Sequence, residues 1–151
     1  MFYPGNGLRR LDGESMTDYL IPAPADMNAY RKELEPFFRE ARYAFGPDVV
    51  HIHGSEYPHS LAWVNACGAG NTAVSIQGLS SVCAGFYLGG ISRRELVKFV
   101  TLRDLMRRDT LFAQQRRMKA RGRYERELFS KVGPVIGRTA WERAHAWGMH
   151  P

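Results

Sequence analysis

A short apolar run that stops at alternating histidines, a glycine and an acid is the feature that most constrains the fold of this chain. Residues 48–57 have the sequence DVVHIHGSEY. Buried parallel strands are short apolar runs of this kind, and they present polar groups where they end. In an open α/β sheet, ligands bind beyond the carboxyl ends of the strands. His53, Gly54 and Glu56 are therefore candidate ligand-binding residues.

Two further strand predictions and the helices between them complete an alternating pattern. The strands are predicted at 48–53, 72–77 and 135–136, and the helices at 26–45, 58–67, 92–129 (in two or three pieces) and from 139 onward. Asp26 is the expected N-cap of the first helix, which Pro36 is expected to kink or split. Strands that alternate with helices are typically parallel and joined by right-handed crossovers. The sequence therefore predicts one α/β domain over residues 1–151, a Rossmann-like parallel sheet flanked by helices.

The remaining stretches are predicted as loops and one short strand. Residues 1–18 are expected to form a surface loop because they show no periodicity, and a short strand is expected at 19–21. Residues 78–91 are rich in glycine and carry little charge. This composition favours a loop that wraps a ligand or closes over a cleft.

Polar residues also follow the second and third predicted strands. Gly78, after Gln77, would let the backbone approach a ligand closely, although a tight turn explains this pair equally well. Arg138 and Thr139 open a helix, where a guanidinium and free backbone N–H groups could bind an anion. For Arg138 a structural role is favoured, since it could pair with Glu142 and brace the turn.

The histidines of the first predicted strand raise the question of a metal site. His51 and His53 flank Ile52, so both imidazoles are expected on the same face of the strand. Histidines two residues apart can bind a metal, and His59 lies nearby, but no cysteine or paired carboxylate stands at ligand spacing. We therefore expect no metal and no other cofactor. One histidine is expected to pack in the sheet, while His53 faces the crevice.

The basic residues of the chain are concentrated in one segment. The net charge is +6, and between Ser92 and Glu127 there are twelve Arg or Lys against five Asp or Glu. Three interpretations are open: a solvated helix face, which is the commonest, a surface that rests on anionic lipid, or a nucleic-acid interface. Nucleic acid is the least favoured, because no binding signature is present and the apolar residues are spaced as a buried stripe. These residues are Phe99, Leu102, Leu105, Met106, Phe112, Tyr124 and Phe129.

The lack of a recognisable targeting signal and the small number of cysteines favour a cytoplasmic location. No apolar run approaches the roughly 20 residues that span a bilayer, and the N-terminal sequence MFYPGNGLRR lacks the apolar core of a secretory signal. Cys67 and Cys83 are the only cysteines, so there is no disulfide framework. The expected location is cytoplasmic, peripheral to the inner face of the membrane if the basic segment binds lipid.

Three blocks of sequence resemble a known enzyme family. In order, over roughly residues 46–148, they are PDVVHIHGSEYPHSLA, VSIQGLSSVCAGFY and VIGRTAWERAHAW. Together they resemble the N-terminal half of the family-4 glycosyltransferases, which are retaining, nucleotide-sugar-dependent enzymes with the B-type glycosyltransferase fold. PDVVHIHG is the most characteristic piece of the resemblance.

The resemblance implies two Rossmann-like domains that face each other across a cleft. The N-terminal domain recognises the acceptor, the C-terminal domain holds most of the nucleotide-sugar donor, and transfer is metal-independent with retention of the anomeric configuration. By this resemblance His53 and the residues after it would line the cleft, and Gln77 with Gly78 would approach the donor sugar. Arg138 and Thr139 would lie near the cleft floor. The implied partners are a nucleotide-sugar donor and a glycan or lipid-linked acceptor.

The chain departs from the family pattern in three places. Gln77 stands where many members have a histidine, so an imidazole role is lost there. Gly5 and Gly7 follow no apolar strand, so the usual first strand with its glycine-rich phosphate loop is not recognised. Sequence typical of the donor-binding domain does not occur in residues 1–151. The resemblance therefore predicts a fragment of a transferase for polysaccharide or glycolipid synthesis, inactive in isolation and with no catalytic residue assigned.

A different class of protein fits the same sequence. A non-catalytic binding or scaffold protein could use the basic helices of residues 92–129 to dock on an anionic surface, either a membrane or nucleic acid. The neighbouring coding sequence would separate the two interpretations, because only the enzyme requires a second Rossmann-like domain.

Overall fold

The structure is a computed structural model that describes residues 2–23 and 26–149. Its strands are β1 (Phe2–Tyr3), β2 (Arg9–Asp12), β3 (Thr17–Pro22), β4 (Val50–His53), β5 (Thr72–Ser75) and β6 (Val135–Ile136). Its helices are α1 (Glu35–Phe45), α2 (Pro58–Cys67), α3 (Ser80–Phe86), α4 (Arg93–Val97), α5 (Leu102–Met106), α6 (Leu111–Phe129) and α7 (Ala140–Met149). The described residues thus form an α/β fold, as the alternating pattern predicts.

The central element is a parallel three-stranded sheet in the order β4-β5-β6. His53 is in register with Ser75, and Ser75 with Ile136. The carboxyl ends of the three strands therefore lie at one edge, which confirms the predicted parallel arrangement, although β5 ends at Ser75 rather than Gln77. Parallel neighbours need long crossovers. Helix α2 supplies the first crossover, and α3 to α6 supply the second.

The two faces of this sheet have different surroundings. Ile52 and Val74 lie on one face and pack in the main hydrophobic core, which α2, α6 and α7 complete. The opposite face carries His51, His53 and Ile136, all of which are exposed. The alternation along β4 thus places both imidazoles on one face and Ile52 on the other, as predicted.

The N-terminal residues form strands, so the prediction of a surface loop over residues 1–18 is wrong. Strand β3 pairs in parallel with β1 and antiparallel with β2, which gives a second sheet in the order β1-β3-β2. Every residue of β2 is exposed. A strand with no buried face does not need alternating apolar and polar residues, so its sequence lacks the pattern that would indicate a strand. The strand predicted at 19–21 is confirmed, and β3 extends it in both directions.

The first long helix begins later than predicted. Asp26 does not cap it, because its carboxylate accepts from the backbone N–H of Asn28 at 2.8 Å. Helix α1 begins at Glu35 and has Pro36 in its first turn. The N–H groups of the first turn have no partner within the helix, so a proline there costs no hydrogen bond. Pro36 is therefore compatible with the start of the helix and does not kink it. Gly46, with a φ of 61°, ends α1 as predicted.

The glycine-rich stretch 78–91 contains a helix where a loop was predicted. Helix α3 occupies its first half, where the backbone N–H groups of Ser80 and Ser81 donate to Glu125 on a distant helix. Residues 92–129 form three helices, as predicted, with a capping box between Ser92 and Glu95 at the start of α4. Thr110 caps α6, and this helix continues through Gly122 without a break.

The apolar residues of α5 lie on the surface. Leu102, Leu105 and Met106 are exposed, as is Phe99, so the predicted buried stripe is wrong for this part of the basic segment. Phe129, at the end of α6, does lie in the main core. Within residues 2–23 and 26–149, no helix has both the length and the apolar composition that crossing a bilayer requires.

Candidate functional site

The residues at the carboxyl ends of β4, β5 and β6 meet at one edge of the sheet, which we call the strand-end rim. The rim consists of His53, Gly54, Glu56, Gln77, Gly78 and Arg138. Backbone bonds continue just past the strands: the Gly54 N–H donates to the Ser75 carbonyl at 2.9 Å, and the Ile76 N–H donates to the Ile136 carbonyl at 2.9 Å. These bonds hold the three segments together after the strands end. Candidate residues from all three strand ends are thus brought together.

The Glu56 carboxylate lies against two glycine backbones. A Cβ built on Gly54 would lie 2.6 Å from Glu56 Oε2, and one built on Gly78 would lie 3.2 Å from Oε1. Gly54 also has a φ of 99°, a conformation that side chains disfavour. Both glycines therefore make room for this carboxylate. It accepts no hydrogen bond and forms no ion pair within the described residues, so it is free to accept from a ligand.

The two histidines of β4 have different environments. His51 Nε2 lies 2.6 Å from Ser75 Oγ, within hydrogen-bond distance. His53 is exposed at the strand end, and its ring centre lies 5.4 Å from that of His51. The part of the chain that the structure describes has no group of three or more His, Cys, Asp or Glu side chains placed to hold a metal. His51 is thus hydrogen-bonded to the neighbouring strand, but it is exposed, so the prediction that one histidine packs in the sheet is wrong. His53 is accessible from the rim.

Arg138 ties the end of β6 to the end of β5. Its Nη2 donates to the Gln77 carbonyl at 2.7 Å and to Glu142 Oε1 at 3.0 Å. The guanidinium therefore has the pairing with Glu142 that a structural role requires, and it also fixes the Gln77 backbone. More than half of the Arg138 side chain remains exposed. The side chain of Gln77 lies over Gly54, with its Cγ 3.7 Å from a Cβ built there.

Thr139 and Glu142 form a capping box at the start of α7. The Glu142 N–H donates to Thr139 Oγ1 at 3.1 Å, and the Thr139 N–H donates to Glu142 Oε2 at 3.0 Å. The Arg138 N–H donates to the same carboxylate oxygen at 2.7 Å. The backbone N–H groups of Arg138 and Thr139 that could have bound an anion are therefore already satisfied. The hydrogen bond from the Arg138 side chain is the largest cause that holds the pKa of Glu142 below its ordinary value.

Glu142→Gln should lower the free energy of unfolding at neutral pH, and the decrease should be smaller in acid. The folded-state pKa of Glu142 lies below its value in the unfolded chain. The ionised carboxylate therefore contributes to the free energy of unfolding above the unfolded-state pKa, about 4.3, and this contribution is lost as the pH falls through the folded-state pKa. The wild-type Tm should exceed the variant Tm near pH 7 and approach it in acid. Thermal unfolding followed across this range measures the gap, and a gap that stays constant would contradict the assignment.

A buried carboxylate that the sequence analysis missed stands behind the rim. Glu125, on α6, is 1% exposed. Its Oε1 accepts from Ser55 Oγ at 2.8 Å and from the Ser80 N–H at 3.2 Å, and its Oε2 accepts from the Ser81 N–H at 2.7 Å. Ser55 Oγ also lies 3.3 Å from the Gly78 carbonyl. Glu125 thus fixes both segments that carry the rim glycines, and it supplies the acceptors for the first N–H groups of α3.

Burial governs the ionisation of Glu125. Loss of hydration raises its pKa above the ordinary glutamate value, and the hydrogen bonds from Ser81 and Ser55 offset part of the increase. The sequence did carry a signal for this residue. Glu125 shares the buried side of α6 with Gly122 and Leu128, three residues away in either direction. An acid at such a position indicates a buried carboxylate with dedicated hydrogen-bond donors.

The rim offers both hydrogen-bond donors and acceptors. Glu56 can accept, the exposed part of the Arg138 guanidinium can donate, and His53 and Gln77 can do either. The space beside Gly54 and Gly78 is occupied by the Glu56 carboxylate, so a ligand at the rim would meet this carboxylate rather than the glycine backbone. This combination suits a polar ligand that carries many hydroxyl groups.

Comparison with known proteins identifies no relative of this chain. A scan against protein-family models finds no match, and searches of curated proteins and of solved structures find none either.

Proposed function

We propose that residues 1–151 are the acceptor-side part of a retaining, nucleotide-sugar-dependent glycosyltransferase with the B-type fold, which serves polysaccharide or glycolipid synthesis. One observation carries the proposal: the three sequence blocks that resemble this family supply the three strand ends that converge on the strand-end rim. Such convergence is expected of a substrate site at the carboxyl edge of a parallel sheet. In the proposal, the sheet β4-β5-β6 and its helices are part of a Rossmann-like domain.

The rim has the chemistry that recognition of a sugar requires. A sugar hydroxyl can donate one hydrogen bond and accept others, so it needs both kinds of partner. We assign Glu56 as an acceptor for such hydroxyls, and His53 and Gln77 as side chains that can donate or accept. Arg138 and Thr139 are assigned supporting roles, because one braces the Gln77 backbone and the other caps α7.

The exposed sheet face supports the view that further polypeptide completes the domain. All-parallel sheets are normally covered on both faces, yet His51, His53 and Ile136 are exposed on one face of this sheet. The proposal therefore places additional chain over this face and a donor-binding half across the rim.

Catalysis in this proposal depends on that second half. The leaving nucleoside diphosphate carries negative charge, which a metal-free site must stabilise with fixed cations and helix N-termini. At the rim, the Arg138 guanidinium is paired with Glu142, and the first N–H groups at α7 donate to the same carboxylate. Half of a cleft also does not exclude water from the reaction. Residues 1–151 alone are therefore expected to bind acceptor and to transfer no sugar.

The test uses the product of the complete open reading frame that contains this chain. It should release nucleotide from one of a panel of UDP-, GDP- and dTDP-sugars in an acceptor-dependent manner. His53→Ala should lower kcat/KM by about tenfold or more, the size of one lost contact of ~1.4 kcal/mol to the transition state. In residues 1–151 the imidazole is exposed and makes no hydrogen bond within the described residues, so the Tm of the 151-residue chain should not change.

His145→Ala is the histidine control, since its ring contact is with Trp141 on the same helix, at 4.5 Å between ring centres. It should leave kcat/KM unchanged. An open reading frame without a second Rossmann-like domain would overturn the proposal. So would a kcat/KM of nucleotide release that His53→Ala leaves unchanged, or robust sugar transfer by residues 1–151 alone. A large fall in Tm on His53→Ala would identify this residue as a structural histidine and remove it from the site.

A further inference from the structure

The stretch between α3 and α6 exposes many large apolar side chains. Those exposed between residues 86 and 111 are Phe86, Ile91, Val97, Phe99, Leu102, Leu105, Met106 and Leu111. Helix α4 buries only Leu96, and α5 buries no residue. A five-residue helix without a buried face gains little from packing, and short helices are marginal in water. This stretch, which we call the apolar–basic segment (residues 86–111), therefore lacks a covering partner in the described structure.

The same segment carries cations that no acid neutralises. Its acidic residues are engaged locally: Glu95 and Asp104 close the capping boxes at the starts of α4 and α5, and Asp109 pairs with Arg117 at 3.1 Å. Its basic residues form no ion pair with any described residue. They are Arg93, Arg94, Lys98, Arg103, Arg107 and Arg108. Free cations and exposed apolar groups thus alternate along one surface stretch.

We propose that the apolar–basic segment docks the protein on an anionic lipid bilayer. The interface of such a bilayer satisfies both kinds of side chain, because apolar groups insert at the boundary of headgroups and acyl chains while Lys and Arg meet the lipid phosphates. Long basic side chains reach the headgroups while their methylene stems remain in apolar surroundings. The two helices of the segment have five residues each, far fewer than the roughly 20 apolar residues of a membrane-spanning helix, so the association is peripheral.

Two other occupants fit this surface less well. Nucleic acid would neutralise the cations, but its phosphate backbone would leave the apolar side chains exposed to water. A second copy of the chain would cover the apolar side chains, but it would bring two sets of unpaired cations together, and these repel. The bilayer complements both properties. The inference does not depend on the proposed transferase activity, because it concerns a different surface.

Vesicle flotation with the 151-residue chain tests the proposal. The wild-type chain should float with vesicles that contain phosphatidylglycerol and should not float with pure phosphatidylcholine. A variant that combines Leu102→Gln, Leu105→Gln and Met106→Gln should reduce the bound fraction by about tenfold or more. These side chains are 74%, 59% and 79% exposed, and glutamine has a helix propensity similar to that of leucine and methionine, so the fold should be retained.

The basic residues are tested separately. Arg93→Gln and Arg107→Gln should each lower partitioning into anionic vesicles about fivefold, the effect of one basic residue near a charged membrane surface. Added salt should weaken the wild-type interaction.

The matched control replaces apolar residues of similar exposure outside the segment, with Tyr43→Gln, Val49→Gln and Trp147→Gln combined. These side chains are 93%, 74% and 76% exposed, and the control should float like the wild type. Failure of the wild type to bind either vesicle, equal binding to both, or unchanged binding by the α5 variant would each overturn the proposal. So would a wild-type dimer, detected by light scattering, that the α5 variant converts to a monomer.

Discussion

Gly122→Ala should lower the free energy of unfolding by about 1–3 kcal/mol, the usual cost of overpacking a close contact. A Cβ at Gly122 would lie 2.5 Å from the Cα of Ser81 and 2.8 Å from its backbone nitrogen. Neither atom can yield unless α3 moves away from α6. That movement would also weaken the hydrogen bond from the Ser81 N–H to Glu125, at 2.7 Å. Urea unfolding followed by circular dichroism measures the change.

Gly148→Ala is the matched control, because it also adds a Cβ to a helical glycine. Apart from the backbone of its own helix and its two chain neighbours, no atom of the described residues lies within 4 Å of the Cβ position at Gly148. Only the helix propensity changes there, so alanine should stabilise the protein by up to about 1 kcal/mol. The two substitutions are expected to have opposite signs. Equal stability of the Gly122 and Gly148 variants would mean that α3 and α6 do not approach each other this closely.

Glu125→Ala should lower the free energy of unfolding by about 3 kcal/mol or more. The substitution leaves three donors without their acceptor: the Ser55 hydroxyl and the backbone N–H groups of Ser80 and Ser81. Each unpaired buried donor costs about 1–3 kcal/mol, and the lost side-chain volume adds a cavity. Glu125→Gln keeps one acceptor oxygen and should lose less. Chemical denaturation of both variants gives the two values.

The pH dependence of the Glu125→Gln effect provides a second measurement. Because burial raises the pKa of Glu125 above its unfolded-state value, the folded protein binds this proton more tightly, and wild-type stability falls as the pH rises from about 4.3 through the folded-state pKa. Glutamine does not titrate, so the wild-type advantage should shrink over this range. Glu127→Gln, exposed on the same helix, is the control and should change stability by less than about 0.5 kcal/mol. An advantage that grows with pH would contradict the raised pKa.

Local signals predicted the part of the fold that carries the rim. The apolar run before His53 predicted β4, Pro58 fits the first turn of α2, and Gly68 follows its last residue. All of these signals lie within a few residues of the element that they predict. The same is true of the capping boxes that open α4 and α7. Convergence of the strand ends then followed from the parallel arrangement alone.

Contacts between distant residues explain what the sequence did not reveal. Helix α3 begins inside a glycine-rich stretch because Glu125, more than forty residues further along the chain, accepts from the N–H groups of Ser80 and Ser81. Strand β2 is fully exposed, and its pairing with β3 defines it. Leu102 and Met106 have the spacing of a buried stripe, but periodicity indicates only which residues share a helix face. Whether a core lies against that face depends on the packing of the whole chain.

Helix α6 connects the apolar–basic segment to the residues behind the strand-end rim. It begins at Leu111, at the end of the apolar–basic segment, and reaches Glu125 behind the rim fourteen residues later. At 1.5 Å per residue this separation is about 21 Å along the helix axis. If the Leu111 end of α6 contacted a lipid surface, this separation would limit the distance between that surface and the rim. The distance would be greatest with the helix axis perpendicular to the surface. In the two proposals taken together, an acceptor would have to extend from its lipid anchor far enough for its terminal sugar to reach the rim.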